Sequence, residues 1–128
     1  MENKEKQNKS ILVVEDELNL LQAVAMGLSR EGFDVIKAVD GEQGLRFALE
    51  KHPNMIITDI KMPKMDGMSM LEKLRTDAWG KDVPVIILTN MDTESNVLQG
   101  QKTGVVDFLV KSNTTLEQLF NQVKVRIH

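Results

Sequence analysis

Five short apolar runs, at residues 11–14, 33–39, 55–58, 83–88 and 105–110, alternate with segments of helical spacing along a chain of 128 residues. No other feature of the sequence constrains the fold so far. The runs are rich in Val and Ile and show no polar face, as strands do when both sides are covered. Between them, Leu18, Leu21, Ala25 and Leu28 fall on one helix face, with Gly32 as a stop. Asp40 is placed to cap a second helix carrying Leu45, Ala48 and Leu49, which ends before Pro53. A third begins near Asp66 and turns Met70, Leu71 and Leu74 inward, and a weaker fourth over 93–102 has Val97 and Leu98 and is interrupted by Gly100. In the fifth, Thr114 and Glu117 fit a capping box, and Leu116, Leu119, Phe120, Val123 and Ile127 hold one stripe.

Strand and helix thus alternate five times. Parallel strands need crossover connections, so the alternation predicts an α/β fold with a doubly wound parallel sheet and helices on both faces. The length fits one domain and is enough to bury roughly two-thirds of the unfolded surface. Residues 1–9 are polar throughout and are expected to be a disordered lead-in to a domain over 10–128. They lack the apolar segment of a signal peptide, and no run approaches a membrane span, so a cytoplasmic protein is expected. A net charge of −3 offers no basic field for nucleic acid or anionic lipid. The absence of cysteine removes thiolate metal sites and cysteine nucleophiles.

In an open parallel sheet, ligands gather outside the carboxyl ends of the strands. The polar residues that follow the strands are therefore the candidates. Glu15 and Asp16 follow the first, Asp59 the third and Thr89 the fourth, and Lys111 ends the fifth. Three crowded carboxylates repel one another unless a cation joins them, and an all-oxygen set suits Mg²⁺. A lysine and a hydroxyl beside them form a cradle for a phosphoryl group, and a carboxylate can itself be the nucleophile, giving an aspartyl phosphate. Taken singly, each residue has an ordinary reading as a cap, a loop residue or a solvated charge. The ordered set of five is far more specific.

The pieces "LVVEDE", "IITDIKMPKMDG", "VPVIILT" and "GVVDFLVKS" resemble the receiver domain of bacterial two-component response regulators, over about residues 10–127. The resemblance implies a flavodoxin-like (βα)5 fold of strand order 2-1-3-4-5. It implies that Asp59 accepts a phosphoryl group from a histidine kinase or phosphotransfer protein. Asp16, Asp59 and the backbone carbonyl of Lys61 would ligate Mg²⁺, with Glu15 doing so directly or through water. Thr89 and Lys111 would hold the phosphoryl oxygens. Phe108 stands at the place of the switch aromatic, and the signal would be read on the fourth helix, fifth strand and fifth helix by an output partner the sequence does not name. Monomer or weak dimer through that face is expected, with self-phosphorylation and autodephosphorylation as the only chemistry.

Three departures from the family pattern bear on the site. Ser112 replaces the usual proline after the lysine, and a cis bond there would cost roughly 2.5–4 kcal/mol. Asn90 replaces a small residue after the threonine, and Lys61 lies two residues beyond Asp59. Lys61 and Met91 are expected to tune the phosphoryl lifetime. Met62, Met65, Met68 and Met70 form either a partner groove or ordinary packing. His52 and His128 are expected at the surface, Trp79 in packing, and Asp92 and Asp107 in loops or caps. A haloacid dehalogenase-type phosphatase would need a second aspartate where Lys61 stands, and no phosphate-binding glycine motif follows any strand. A receiver-like docking module that no longer switches is the remaining rival.

Overall fold

The computed structural model describes residues 9–90, 102–105 and 107–127. Its elements are β1 (Ser10–Val14), α1 (Leu18–Arg30), β2 (Asp34–Ala38), α2 (Gly41–Lys51), β3 (Met55–Thr58), α3 (Gly67–Leu74), β4 (Val85–Thr89), β5 (Asp107–Val110) and α4 (Leu116–Arg126). Most of the expected fourth helix, together with Met91, Asp92 and His128, lies outside the described residues, so α4 corresponds to the fifth helix of the sequence reading. All five strands are parallel and run in the order β2-β1-β3-β4-β5.

The continuous apolar runs have a simple cause. Successive side chains of a strand point to opposite faces. Leu12, Val14, Ile56, Val85 and Ile87 therefore join Ala48 of α2 and Met70, Leu71 and Leu74 of α3 in one core. Ile11, Val13, Met55, Ile57, Ile86 and Leu88 join Leu21, Val24 and Leu28 of α1 and Leu119 and Val123 of α4 in the other. Each fully buried Leu or Ile contributes about 1.5–3 kcal/mol relative to its exposed state.

Helix ends are where the sequence reading needs correction. Leu18 is 62% exposed and Val24 takes its place in the core, because Leu18 opens α1 where β1 has already ended. Leu49 is also exposed, while Phe47 packs partly against the α2–α3 core. Asp40 caps α2, accepting from the Gln43 amide at 2.8 Å. The last capping box is formed by Thr115 and Gln118 rather than Thr114 and Glu117. Residues Lys111–Asn113 form a turn of 3₁₀ helix first, and Thr114 ends that turn in an extended conformation. Leu116 then falls half outside the stripe that Leu119, Val123 and Ile127 bury.

Other expectations resolve within these layers. Met62, Met68 and Met70 are buried and Met65 packs beside them, so this cluster is packing rather than an open groove. Trp79 lies in the turn after α3, and its ring stacks on exposed His52 at 4.4 Å and 11°. Asp107 opens β5 instead of sitting in a loop, its Oδ1 accepting from the Phe108 amide. Peptide bonds among the described residues are trans, including that between Lys111 and Ser112.

Candidate functional site

Two loops set the candidate carboxylates. The Glu15 amide donates to Ala38 O at 3.0 Å, extending the β1–β2 ladder by one residue, and the Asp59 amide donates to Val14 O at 3.1 Å. Asp59 thus leaves β3 still fixed to the sheet. Its carbonyl accepts the Thr58 hydroxyl at 2.8 Å, and its Oδ1 accepts the Ile60 amide at 2.6 Å. The loop beyond is folded tightly back. The Gly67 amide donates to Ile60 O at 2.6 Å, and a Cβ at Gly67 would run into the carbonyl oxygen of Asp59. Gly41 meets Met65 O in the same way, which binds this loop to the start of α2. Asp66 then caps α3 by accepting from the Ser69 amide at 2.8 Å.

Glu15, Asp16, Asp59, Lys61, Thr89 and Lys111 come together around an open cleft of about 560 Å³, with Asn90 also at its wall. Glu15, Asp59 and Thr89 are buried; Asp16 and Lys61 are exposed. Lys111 reaches across from the end of β5, with Nζ 2.8 Å from Asp59 Oδ2 and 2.9 Å from Glu15 Oε1. Burial alone disfavours its charge, but hydrogen bonds to Asp59 and Glu15 outweigh that, so the ammonium is held above the ordinary lysine range. Burial pushes the Glu15 carboxyl up, and its bonds to Lys111 and the Glu17 amide offset only part of the effect. Both shifts favour the protonated forms, and the distances are those of an ion pair.

Phe108 stands apart from the cleft. It is half-buried on β5 and packs against the α2–α3 core, as Val105 also does. Met91 lies outside the described residues. The sequence reading missed Thr58, the Ile60 amide and Gly67 as supports of Asp59; of these only the Asp66-Gly67 pair carried a signal, as a turn dipeptide.

One carboxylate oxygen from each of Glu15, Asp16 and Asp59 lies within 4.8 Å of the other two. This all-oxygen donor set, with Asp16 open to solvent, fits a hard divalent cation that keeps several of its own waters.

The family model for the response regulator receiver domain matches residues 11–124, and the chain belongs to that family. Among curated relatives, the transcriptional regulatory protein PrrA of Mycobacterium tuberculosis is 40% identical over 114 residues, which cover 89% of this chain and 48% of PrrA. The alkaline phosphatase synthesis transcriptional regulatory protein PhoP of Bacillus subtilis is 36% identical over 104 residues, covering 81% of this chain and 42% of PhoP. The chain therefore spans less than half the length of these relatives. A Francisella response regulator receiver domain superposes with a TM-score of 0.84 at 30% identity, covering 94% of this chain and 97% of that one. The Vibrio cholerae chemotaxis protein CheY4 gives 0.85 at 28% identity, with 94% and 98% covered. Five parallel strands in the order 2-1-3-4-5 are the arrangement the sequence led us to expect. Among the described residues, no helix is long and apolar enough to cross a membrane.

Proposed function

We propose that this receiver domain takes a phosphoryl group onto Asp59 and passes the change of state to a partner. The observation that carries the reading is the position of Asp59, buried at the end of β3 with Lys111 at 2.8 Å and two further carboxylates within 4.8 Å. A carboxylate oxygen of Asp59 attacks the phosphorus of a phosphohistidine, the P–N bond breaks, and the imidazole leaves with its electron pair and takes up a proton. An acyl phosphate results. The Ile60 amide orients the carboxylate, and Lys111 is close enough to Asp59 to neutralise charge growing on the phosphoryl oxygens. Thr89, at the end of β4 on the same cleft, supplies a hydroxyl donor to those oxygens. Asp16, Asp59 and the Lys61 carbonyl would hold Mg²⁺, with Glu15 joining them directly or through water, and the bound ion would supply charge neutralisation and alignment.

The donor is a histidine kinase or phosphotransfer protein in the cytoplasm, and the chain acts as a regulatory domain rather than a turnover enzyme. Thr89 and Phe108 are the switch pair. Thr89 is drawn toward the phosphoryl group, and the half-buried ring of Phe108 moves further into the core space beside it. β5 and α4 carry the altered surface to the output partner, which for the named relatives is a transcriptional function. Lys61, exposed at the cleft wall, tunes the lifetime of the acyl phosphate, and Met91 acts with it.

Acetyl phosphate with Mg²⁺, read by intact-protein mass spectrometry, tests the reading. The expected result is a Mg²⁺-dependent gain of one phosphoryl group that D59N lacks. A chain that gains none, from acetyl phosphate or from a phosphohistidine donor, is a docking module instead.

A further inference from the structure

Three consecutive peptide units carry the chain past Asp59, and they are held in different ways. The first gives its N–H, that of Asp59, to Val14 O at 3.1 Å. The third offers its carbonyl, that of Ile60, to the Gly67 amide at 2.6 Å. Both are tied to backbone. The middle unit, between Asp59 and Ile60, has no backbone partner at either end among the described residues. Its carbonyl accepts the Thr58 hydroxyl at 2.8 Å, and its N–H donates to Asp59 Oδ1 at 2.6 Å. The end of β3 explains the gap. Thr58 is the last residue paired with both neighbouring strands, opposite Val14 and Ile87, so the Asp59 carbonyl falls one step beyond the ladder. Gly67 lets the chain fold back against that carbonyl, yet its own N–H goes to Ile60 O.

A peptide unit is planar, so its two ends turn together. If the bond at the Asp59 carbonyl is lost, the unit can rotate, and the N–H that meets the carboxylate swings with it. The same bond polarises the unit and strengthens the charge-assisted bond at its other end. We infer that Thr58 is a positioning residue for phosphoryl transfer: its hydroxyl sets the Asp59–Ile60 peptide, and through that peptide the Asp59 carboxylate. The surroundings suit this role. Thr58 is 1% exposed and shares the face of Ile56, toward α2 and α3. The void bordering it is about 10 Å³, at the lower limit for one water. A valine of the same shape would therefore leave the buried carbonyl without its donor and without a water in its place.

The test compares wild type with T58S, T58V and T58C, each checked for fold by circular dichroism. T58S keeps the hydroxyl and gives up the methyl, and T58V does the reverse. T58C, whose thiol is a weak donor, is a second chain without the hydroxyl should T58V fail to fold. The Ile60 amide is followed by proton–nitrogen NMR with no phosphodonor present, for its proton shift and its exchange with solvent. Phosphorylation by acetyl phosphate is timed at saturating Mg²⁺. For T58V and T58C we expect an upfield move of the Ile60 proton, faster exchange, and phosphorylation slowed about tenfold. T58S should keep the Ile60 signal and stay within about twofold of the wild-type rate.

Equal losses in T58S and T58V would assign the effect to packing of the methyl and overturn the inference. So would a T58V or T58C chain with the wild-type Ile60 signal and rate. Only the rate arm rests on the phosphoacceptor reading. A wild-type chain that takes no phosphoryl group would sink that reading, while the Ile60 signal in T58S against T58V still decides whether the hydroxyl sets the peptide.

Discussion

Two half-buried cations sit at opposite ends of the same sheet and are held in different ways. Lys111, at the carboxyl ends of the strands, lies between the formal charges of Asp59 and Glu15. Arg75, beyond the opposite ends, donates to backbone carbonyls. Its Nε reaches Thr103 O at 2.6 Å, its Nη1 reaches Gly80 O and Val83 O at 2.8 and 2.7 Å, and its Nη2 reaches Gly104 O at 3.3 Å. The guanidinium thereby joins the end of α3 to the approaches of both β4 and β5. The shifts go opposite ways as well. Lys111 is raised, because its anionic partners outweigh burial, whereas burial lowers Arg75 and Asp82 only partly opposes it. A charge held by carboxylates can be exchanged for another cation. One held by carbonyl dipoles has no competitor of comparable fit, since only the planar fork satisfies both loops at once. On the proposed function, the site end of the molecule changes its ionic state while the far end keeps the frame still.

Removing each cation should separate these roles. Arg75→Ala is expected to have the largest effect, a loss of about 3 kcal/mol in urea unfolding. Several charge-assisted bonds disappear at once, each worth roughly 1.5–3 kcal/mol before relaxation and hydration of the freed carbonyls. Arg75→Lys should recover less than half, and Mg²⁺ should restore neither. Lys111→Met, measured in chelator, should cost about 2 kcal/mol, below the usual range for breaking a buried pair because the ammonium is partly open to water. Here Mg²⁺ should return most of the loss by supplying the missing positive charge. Repair of Arg75→Ala by Mg²⁺, or failure to repair Lys111→Met, would break the contrast.

The same contrast explains what could be read from the sequence. The three central strands, β1, β3 and β4, were legible because burial on both faces leaves no polar alternation, and the run from Met55 to Thr58 matches β3 to the residue. The five polar residues of the cleft were legible because each follows its strand in chain order and a parallel sheet brings those ends together. Helix termini were less so. Periodicity places Leu18 with Leu21 and Leu28 on one face of α1 but does not reveal that its side chain, at the very start of the helix, lies in solvent while Leu21 one turn on is buried. With two adjacent threonines, it also did not reveal that a 3₁₀ turn would hand the cap to Thr115. Arg75 gave no sign at all. Its partners are backbone carbonyls, which every residue carries, so no pattern of side chains announces them.

The smallest expected effect concerns pH, and it follows from the raised pKa of Lys111. A group whose pKa is higher in the folded than in the unfolded chain contributes stability that is whole below the unfolded value and is lost as pH climbs through the folded one. The stability difference between wild type and Lys111→Met in chelator should therefore stay level through neutral pH. It should decline only above the ordinary lysine pKa of 10.5, by no more than about 1.4 kcal/mol per pH unit. The raised Glu15 carboxyl adds a change of the same sign at the acid end, with stability falling as pH rises from its ordinary 4.5 through its folded value. Arg75 stays protonated across this range, so the difference between wild type and Arg75→Ala should remain level where that of Lys111→Met declines. Chemical unfolding at a series of alkaline pH values measures both differences side by side. Two curves that decline together would mean that the sheet frame loosens as a whole in alkali, and that the cation at the site is no more exchangeable than the one beneath it.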